Sequence, residues 1–235
     1  MIKRSTDLRH GIAAGIPIFL GYLSVSFGFG IFAVKSGLST FQSTLISLTS
    51  LTSAGQAAGV GIITAGGSII EMILVQITIN IRYSLMALSL SQNLDKSFTR
   101  PQRFIASYGI TDEIFGLCAA QKEPLRPFYM YGMILISTVG WVMGTLLGAA
   151  AGNILPTRVS EALGIILYGM FIAIIIPPAK KERSIFLVII ISAALSIGIR
   201  YLLPMISGGF SVIICAVAAS AFGAALFPKK KEDGE

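Results

Sequence analysis

Between residues 11 and 34 the chain reads GIAAGIPIFLGYLSVSFGFGIFAV, 24 positions without a charge. Residues 127–151, 162–179, 184–199 and 201–228 are uncharged as well. A bilayer core about 30 Å thick needs roughly 20 apolar residues in helical form. A transmembrane barrel would alternate apolar and polar residues in stretches of about ten, and that pattern is missing from the sequence. Composition points the same way. Of 235 residues, 54% are hydrophobic and 12% are charged, with a mean hydropathy of +0.80, against about 25% charged in an ordinary soluble domain. A soluble enzyme, a disordered chain and a collagen-like fibre are excluded. The expected fold class is an all-α polytopic integral membrane protein. Residues 1–235 are read as a single membrane domain, because no polar stretch is long enough to build a second.

The net charge is +7 and the sequence pI about 9.6. In a chain this apolar the excess is topological rather than a sign of nucleic-acid binding, since Lys and Arg in short loops mark the cytoplasmic side. The basic residues cluster in four places: Lys3, Arg4 and Arg9; Lys96, Arg100, Arg103, Lys122 and Arg126; Lys180, Lys181 and Arg183; and Lys229, Lys230 and Lys231. Placing all four clusters inside makes residues 1–10, the loop 92–126 and the tail 228–235 cytoplasmic. Lys35, Arg158 and Arg200 then lie outside or near an external helix end. The first apolar run is too long for a signal-peptide core and lacks an A-x-A cleavage site, so it is read as a retained helix.

This placement needs an even number of crossings between residues 10 and 92, yet three apolar stretches fill that span. The odd one is 38–66, rich in Ser, Thr and Gly and interrupted at Ser53-Ala54-Gly55-Gln56. It is expected to dip in and return, or to form two half-helices, which requires burial or a lined cavity. Residues 105–121 hold Asp112 and Glu113 and are too short and charged to span, so they are expected to be a second half-helical or re-entrant piece. Six full passes remain, near 11–34, 68–91, 127–151, 161–178, 184–203 and 206–227. Two interrupted segments, one in each half, suggest inverted repeats with a binding site at the half-helix ends.

The stretch 68–91 is the most informative. Glu71 and Arg82 lie within about 20° of each other around a helix axis and about 16 Å apart along it, with Thr78 between. Gln76, Asn80 and Ser84 form a second polar stripe, so the helix is expected to be central and packed on both sides. An arginine at helix centre costs about 2.5–3.5 kcal/mol or more. Arg82 is therefore either a snorkelling or structural residue tied to Asp112 or Glu113, or an anion-binding or gating arginine. Glu71 is placed at the interface. Asp112 and Glu113 are either an ordinary loop pair or carboxylates that receive a substrate ammonium or a coupling proton. Ser53, Gly55 and Gln56 either mark a glycine kink or offer backbone N–H groups to a carboxylate. Gly140, Gly144, Gly148 and Gly152 recur every four residues on one face, and Gly11/Gly15 and Gly55/Gly59 repeat the spacing, which signals close helix packing within the chain rather than chemistry. His10 lies outside the first apolar run, Cys118 and Cys215 are isolated, and no metal cluster or phosphate-binding loop is present. No cofactor or metal is expected.

The chain resembles the AzlC-type branched-chain amino-acid permeases. The resemblance lies in Gly15-Ile16-Pro17 followed by Phe27-Gly28; Ser53-Ala54-Gly55-Gln56 after Leu48; Asn80-Ile81-Arg82 with Tyr83 next; Thr111-Asp112-Glu113 after the basic loop; and Leu155-Pro156 leading to Phe171-Ile172-Ala173. These occur in the family's order and span nearly the whole chain. The resemblance implies export of leucine, isoleucine or valine across a bacterial cytoplasmic membrane, with a small hydrophobic AzlD-like partner subunit; without a phosphate-binding loop, any energy coupling is expected from an ion gradient or another chain. Glu71 stands in a stretch the family usually keeps apolar. The alternatives are a membrane scaffold or assembly subunit, for which Asn80 and Arg82 inside the bilayer serve no purpose, and a transporter of another small amphipathic solute. A membrane-embedded enzyme ranks last, for want of a nucleophile–base pair.

Overall fold

The computed structural model describes residues 2–227, and the basic tail residues Lys229, Lys230 and Lys231 lie outside them. The described residues form ten helices and no strand: α1 (Ile2–Lys35), α2 (Thr40–Thr49), α3 (Ser53–Thr64), α4 (Ile69–Ser91), α5 (Arg100–Tyr108), α6 (Asp112–Ala119), α7 (Pro127–Ile154), α8 (Thr157–Lys181), α9 (Arg183–Leu202) and α10 (Gly208–Leu226). Five of the long helices, α1, α4, α7, α9 and α10, are long and apolar enough to cross a membrane. With 25 residues, α8 is a sixth of crossing length. The remaining four are half-length, and they come in two pairs, α2/α3 and α5/α6. The chain is a polytopic all-α membrane protein. It falls into two compact units, one made of residues up to Val60 with Ile79–Leu167, the other of Gly61–Thr78 with the described residues from Tyr168 on.

The first unit is built on α1 and α7. A Cβ on Gly140 would stand 2.7 Å from the Phe19 carbonyl oxygen, and one on Gly152 2.7 Å from Val34 Cγ2. At Gly144 and Gly148 it would strike the carbonyl oxygens of Leu23 and Phe27. From the other side, Gly11 faces the Tyr129 carbonyl, and Gly15 faces Met133 and Ile136. The four-glycine ridge therefore packs within the chain, against α1, with the backbones in contact as small residues allow. Residue numbers rise together along the seam, so α1 and α7 are parallel. Arg126, the residue before α7, pairs with Asp7 of α1 at 3.3 Å. Residues 2–10 of the expected N-terminal segment are part of this helix, because α1 starts at Ile2.

Parallel α1 and α7 impose a parity rule. A chain that leaves α1 on one side and enters α7 from the other must cross an odd number of times in between. With α4 supplying one crossing, α2/α3 and α5/α6 either both return or both cross.

Each interrupted segment opens on a hydroxyl residue with a glutamine three positions on. Ser39 Oγ accepts from the Gln42 N–H while Gln42 Oε1 accepts from the Ser39 N–H, and Gln102 Oε1 accepts from the Thr99 N–H. This reciprocal cap satisfies the orphan donors of a helix start. The chain then breaks at Ser50-Leu51-Thr52 and at Gly109-Ile110-Thr111, and restarts on a threonine. Thr52 Oγ1 accepts from the Gly55 N–H at 3.3 Å and Thr111 Oγ1 from the Ile114 N–H at 3.4 Å. The first break lies three residues before the expected one. Ser53–Gln56 form the opening turn of α3, because a threonine cap decides where a helix begins more strongly than a glycine decides where one ends.

In the second unit α9 and α10 pack together, with Gly223 against Val188. Glu71, in the first turn of α4, is 5% exposed. It accepts from the Ser207 hydroxyl and, at 3.1 Å, from the Gly209 N–H at the start of α10. A Cβ on Gly209 would collide with its carboxylate. Glu71 is thus a buried cap on the positive end of α10.

The expectation that α4 is packed on both sides is corrected. Ile70, Ile73, Leu74, Ile77, Ile81, Leu85 and Leu88 are all exposed, and their spacing forms an apolar stripe along the helix. Gln76, Asn80, Arg82 and Tyr83 are half-buried, while Ser84 is exposed. The polar residues share the helix with this exposed apolar face instead of surrounding it.

Candidate functional site

Both breaks line one cavity. It is an open pocket of about 220 Å³, bordered by Thr49, Ser50, Leu51 and Thr52 of the first break, Asn80 and Tyr83 of α4, and Ser107, Tyr108 and Ile110 at the second break. The C-terminal ends of α2 and α5 border it, together with Thr52, the residue that caps α3. Helix C-termini present partly negative carbonyls and N-termini partly positive N–H groups.

The wall on the first side is fixed by neutral hydrogen bonds. The Thr52 hydroxyl donates to Asn80 Oδ1 at 2.6 Å, which sets the Asn80 amide at the cavity. Gln56 is buried; its Nε2 donates to Ser47 Oγ at 3.1 Å and its Oε1 accepts from Trp141 Nε1 at 3.0 Å. Ser47 and Thr145, both fully buried, share a bond of 2.7 Å. This network ties α2 and α3 to α7. The N–H groups of Gly55 and Gln56 are already taken, by the Thr52 hydroxyl and carbonyl. Neither is open to an external carboxylate, and the Gln56 side chain faces α7. Ser53 opens α3 directly after the cap.

The wall on the second side carries the charges. Arg82 Nη1 lies 2.7 Å from Asp112 Oδ2, with a little over a third of the arginine side chain and a third of the aspartate exposed. The same guanidinium donates to the Tyr83 hydroxyl at 3.2 Å and lies over the Tyr83 ring, 4.9 Å from its centroid. Of the two structural partners the sequence offered for Arg82, the structure selects Asp112, and the pair borders the cavity through Tyr83. Glu113 turns away from Arg82. Tyr22 of α1 has its hydroxyl 2.6 Å from Glu113 Oε2 and 2.6 Å from Thr111 Oγ1. A phenol has one proton, so when it donates to the carboxylate it accepts from Thr111. Tyr22 in turn stands edge-on to Trp141, centroids 5.2 Å apart. The Tyr108 hydroxyl closes the front by donating to the Leu48 carbonyl near the end of α2.

Of the residues singled out from sequence, Asn80 lines the cavity, Arg82 and Asp112 adjoin it as a pair, and Ser53, Gly55, Gln56 and Glu113 stand behind its walls. Sequence reasoning did not single out Thr52, Tyr83 and Tyr108 as lining residues, nor Tyr22 and Trp141 as their support. A threonine cap ahead of each half-helix was a readable signal for the first. Nothing local announces Tyr22 or Trp141, whose partners are 91 and 85 residues away. Among the described residues, no three or more His, Cys, Asp or Glu side chains are grouped as a metal site.

The sequence pattern of the AzlC protein family matches residues 17–155, a span that holds both breaks, the cavity and the glycine ridge. The chain belongs to that family. An uncharacterized membrane protein of Archaeoglobus fulgidus is 30% identical over 184 residues, 77% of this chain and 80% of its own. The inner membrane protein YgaZ of Escherichia coli is 25% identical over 225 residues, 90% and 92% of the two chains. The branched-chain amino acid transport protein AzlC of Bacillus subtilis is 24% identical over 226 residues, 93% and 85%. No solved structure matches the chain.

Proposed function

We propose that this AzlC-family protein is a secondary transporter that exports branched-chain amino acids through the cavity at its two helix breaks. One observation carries the reading. Two interrupted segments of like construction meet at one pocket with Asn80 and Tyr83 of a membrane-length helix, so the ends of two half-helices and the Asn80 amide border the same small volume. Discontinuous helices in transporters use such ends to replace the hydration of a charged solute. In this reading the substrate carboxylate lies toward the Asn80 amide, and its ammonium toward the last carbonyls of α2 and α5. Arg82 and Asp112 form the exchangeable pair that senses the substrate or a coupling proton. The name of the Bacillus subtilis relative supports the substrate class. A small hydrophobic partner subunit and a bacterial cytoplasmic membrane belong to the proposal through the family resemblance.

Both interrupted segments are proposed to return to the side they enter. The parity rule leaves that or two full crossings, and returning keeps Lys96, Arg100, Arg103, Lys122 and Arg126 on the same side as Arg4 and Arg9, as the distribution of basic residues favours. Cysteines at positions 39 and 65 are then labelled from one face only, and labelling from opposite faces overturns this topology.

The function is tested in cells loaded with a leucine-containing dipeptide, which release free leucine. Expression of the full chain, with its partner subunit co-expressed, is expected to speed that release, and Asn80→Leu to abolish the gain. Equal release with and without the gene rejects the transport reading.

A further inference from the structure

We propose that Leu51 and Ile110 are the pair that selects the substrate by the size of its side chain, an inference that rests on the transport reading above. Of the nine residues around the cavity, Thr49, Ser50, Thr52, Asn80, Tyr83, Ser107 and Tyr108 all carry a hydroxyl or an amide. Leu51 and Ile110 are the only two with wholly apolar side chains. They occupy the same place in the two breaks, each the residue before the threonine that caps the next half-helix. One construction, repeated in two segments, therefore sets one aliphatic side chain on each wall of a lining that is otherwise polar.

Both residues are also held from behind. Leu51 and Ile110 pack on the buried cluster that includes Tyr22, Ile114, Met133 and Trp141. A side chain seated on a packed core cannot swing aside to admit a larger guest without disturbing that core. The chemistry of the solute fits this division. A zwitterionic head loses its hydration only where polar groups replace it, and the hydroxyl- and amide-bearing lining supplies those groups. An aliphatic side chain gains only where it meets apolar surface, and Leu51 and Ile110 are where the cavity offers it. One methylene more or less in an apolar pocket changes preference by about ten- to two-hundredfold, enough to rank valine, leucine and methionine against each other.

The test reads relative, not absolute, transport, so a variant that folds less abundantly remains informative. Vesicles from cells expressing the full chain and its partner exchange labelled leucine in competition with alanine, valine, leucine, methionine or phenylalanine. Leu51→Ala and Ile110→Ala are expected to shift the competition toward methionine and phenylalanine by about tenfold. Leu51→Phe is expected to shift it toward alanine and valine. Val25→Ala, which trims the same core cluster without touching the cavity, is expected to leave the order unchanged. An unchanged order in both alanine variants overturns the proposal, and so does an equal shift in Val25→Ala. Failure of the wild-type chain to exchange leucine at all rejects the transport reading, and this inference with it, by a different readout.

Discussion

At Ser50–Thr52 and at Gly109–Thr111 the chain is interrupted in the same way, and beyond the two interruptions it is anchored in opposite ways. Both segments open on a hydroxyl-x-x-Gln cap, run for about one half-helix, break at an aliphatic residue and restart on threonine. Beyond the first break, α3 is tied to α7 by neutral groups alone: Gln56 to Trp141, Gln56 to Ser47, Ser47 to Thr145. Beyond the second, α6 is tied by charge: Asp112 to Arg82, Glu113 to Tyr22. A buried neutral network has nothing to exchange with in a water-poor bundle. An ion pair that is a third exposed beside a cavity has competitors, because a zwitterion brings both charges and a proton can discharge the aspartate. The contrast predicts one wall that stays and one wall that responds.

The largest expected effect comes from breaking the responsive wall. Hydrogen bonds to charged groups contribute about 1.5–3 kcal/mol, so Arg82→Met should lower leucine transport per folded molecule by roughly ten- to hundredfold. The single change leaves Asp112 without its cation, and the folded yield in detergent should fall as well. The double variant Arg82→Met/Asp112→Leu removes the stranded charge, and replacing a whole pair by apolar groups is often neutral for stability. Its yield should recover while transport stays low. Wild-type transport in the double variant would falsify the assignment of the pair to the responsive wall.

The next effect should fall on stability rather than on transport. Gln56→Leu strands the Trp141 N–H and removes the donor to Ser47, a cost of about 1–3 kcal/mol for a buried group left unpaired. Trp141 is the only tryptophan in the chain, so its emission reports the loss directly and should change as the melting temperature falls. Transport per folded molecule should change less than in Arg82→Met. If the two variants prove equally inactive when folded, the division into fixed and responsive walls fails.

What the sequence disclosed follows the range of the interactions. Five of the six long helices rest on uncharged apolar runs and α4 on an apolar stretch whose only charges are Glu71 and Arg82, and such runs are local and were legible. So was the ridge from Gly140 to Gly152, since its four-residue period needs no partner to be seen. The first break was displaced by three residues because glycine at position 55 was weighted over the threonine at position 52, although the cap residue sets the start of a helix. Gln56 stands in the expected solute-binding turn but serves as a link to Trp141, and the sequence does not show that Glu71 caps α10 through Ser207 and Gly209. In each case the deciding partner lies 85 to 138 residues away, beyond the reach of periodicity. Arg82 is intermediate: its need for a counter-charge was readable from the bilayer cost alone, and the choice between Asp112 and Glu113 was not.

The smallest effect separates construction from use. The Thr52 and Thr111 hydroxyls do the same two jobs. Each accepts from the N–H three residues on, and each is bonded to a side chain of another helix, Thr52 to Asn80 and Thr111 to Tyr22. Thr→Val keeps the shape and removes the cap, which costs about 0.5–2 kcal/mol. If the breaks are equivalent as structures, Thr52→Val and Thr111→Val should lower the melting temperature by similar amounts. They should differ in transport, because Thr52 lines the cavity and orients Asn80 there, whereas Thr111 stands behind it and leaves Tyr22 its bond to Glu113. Thr52→Val should therefore weaken leucine competition severalfold while Thr111→Val leaves it near the wild-type value. A reversed order would put the solute against α6 and make the charged wall, not the neutral one, the surface that holds its carboxylate.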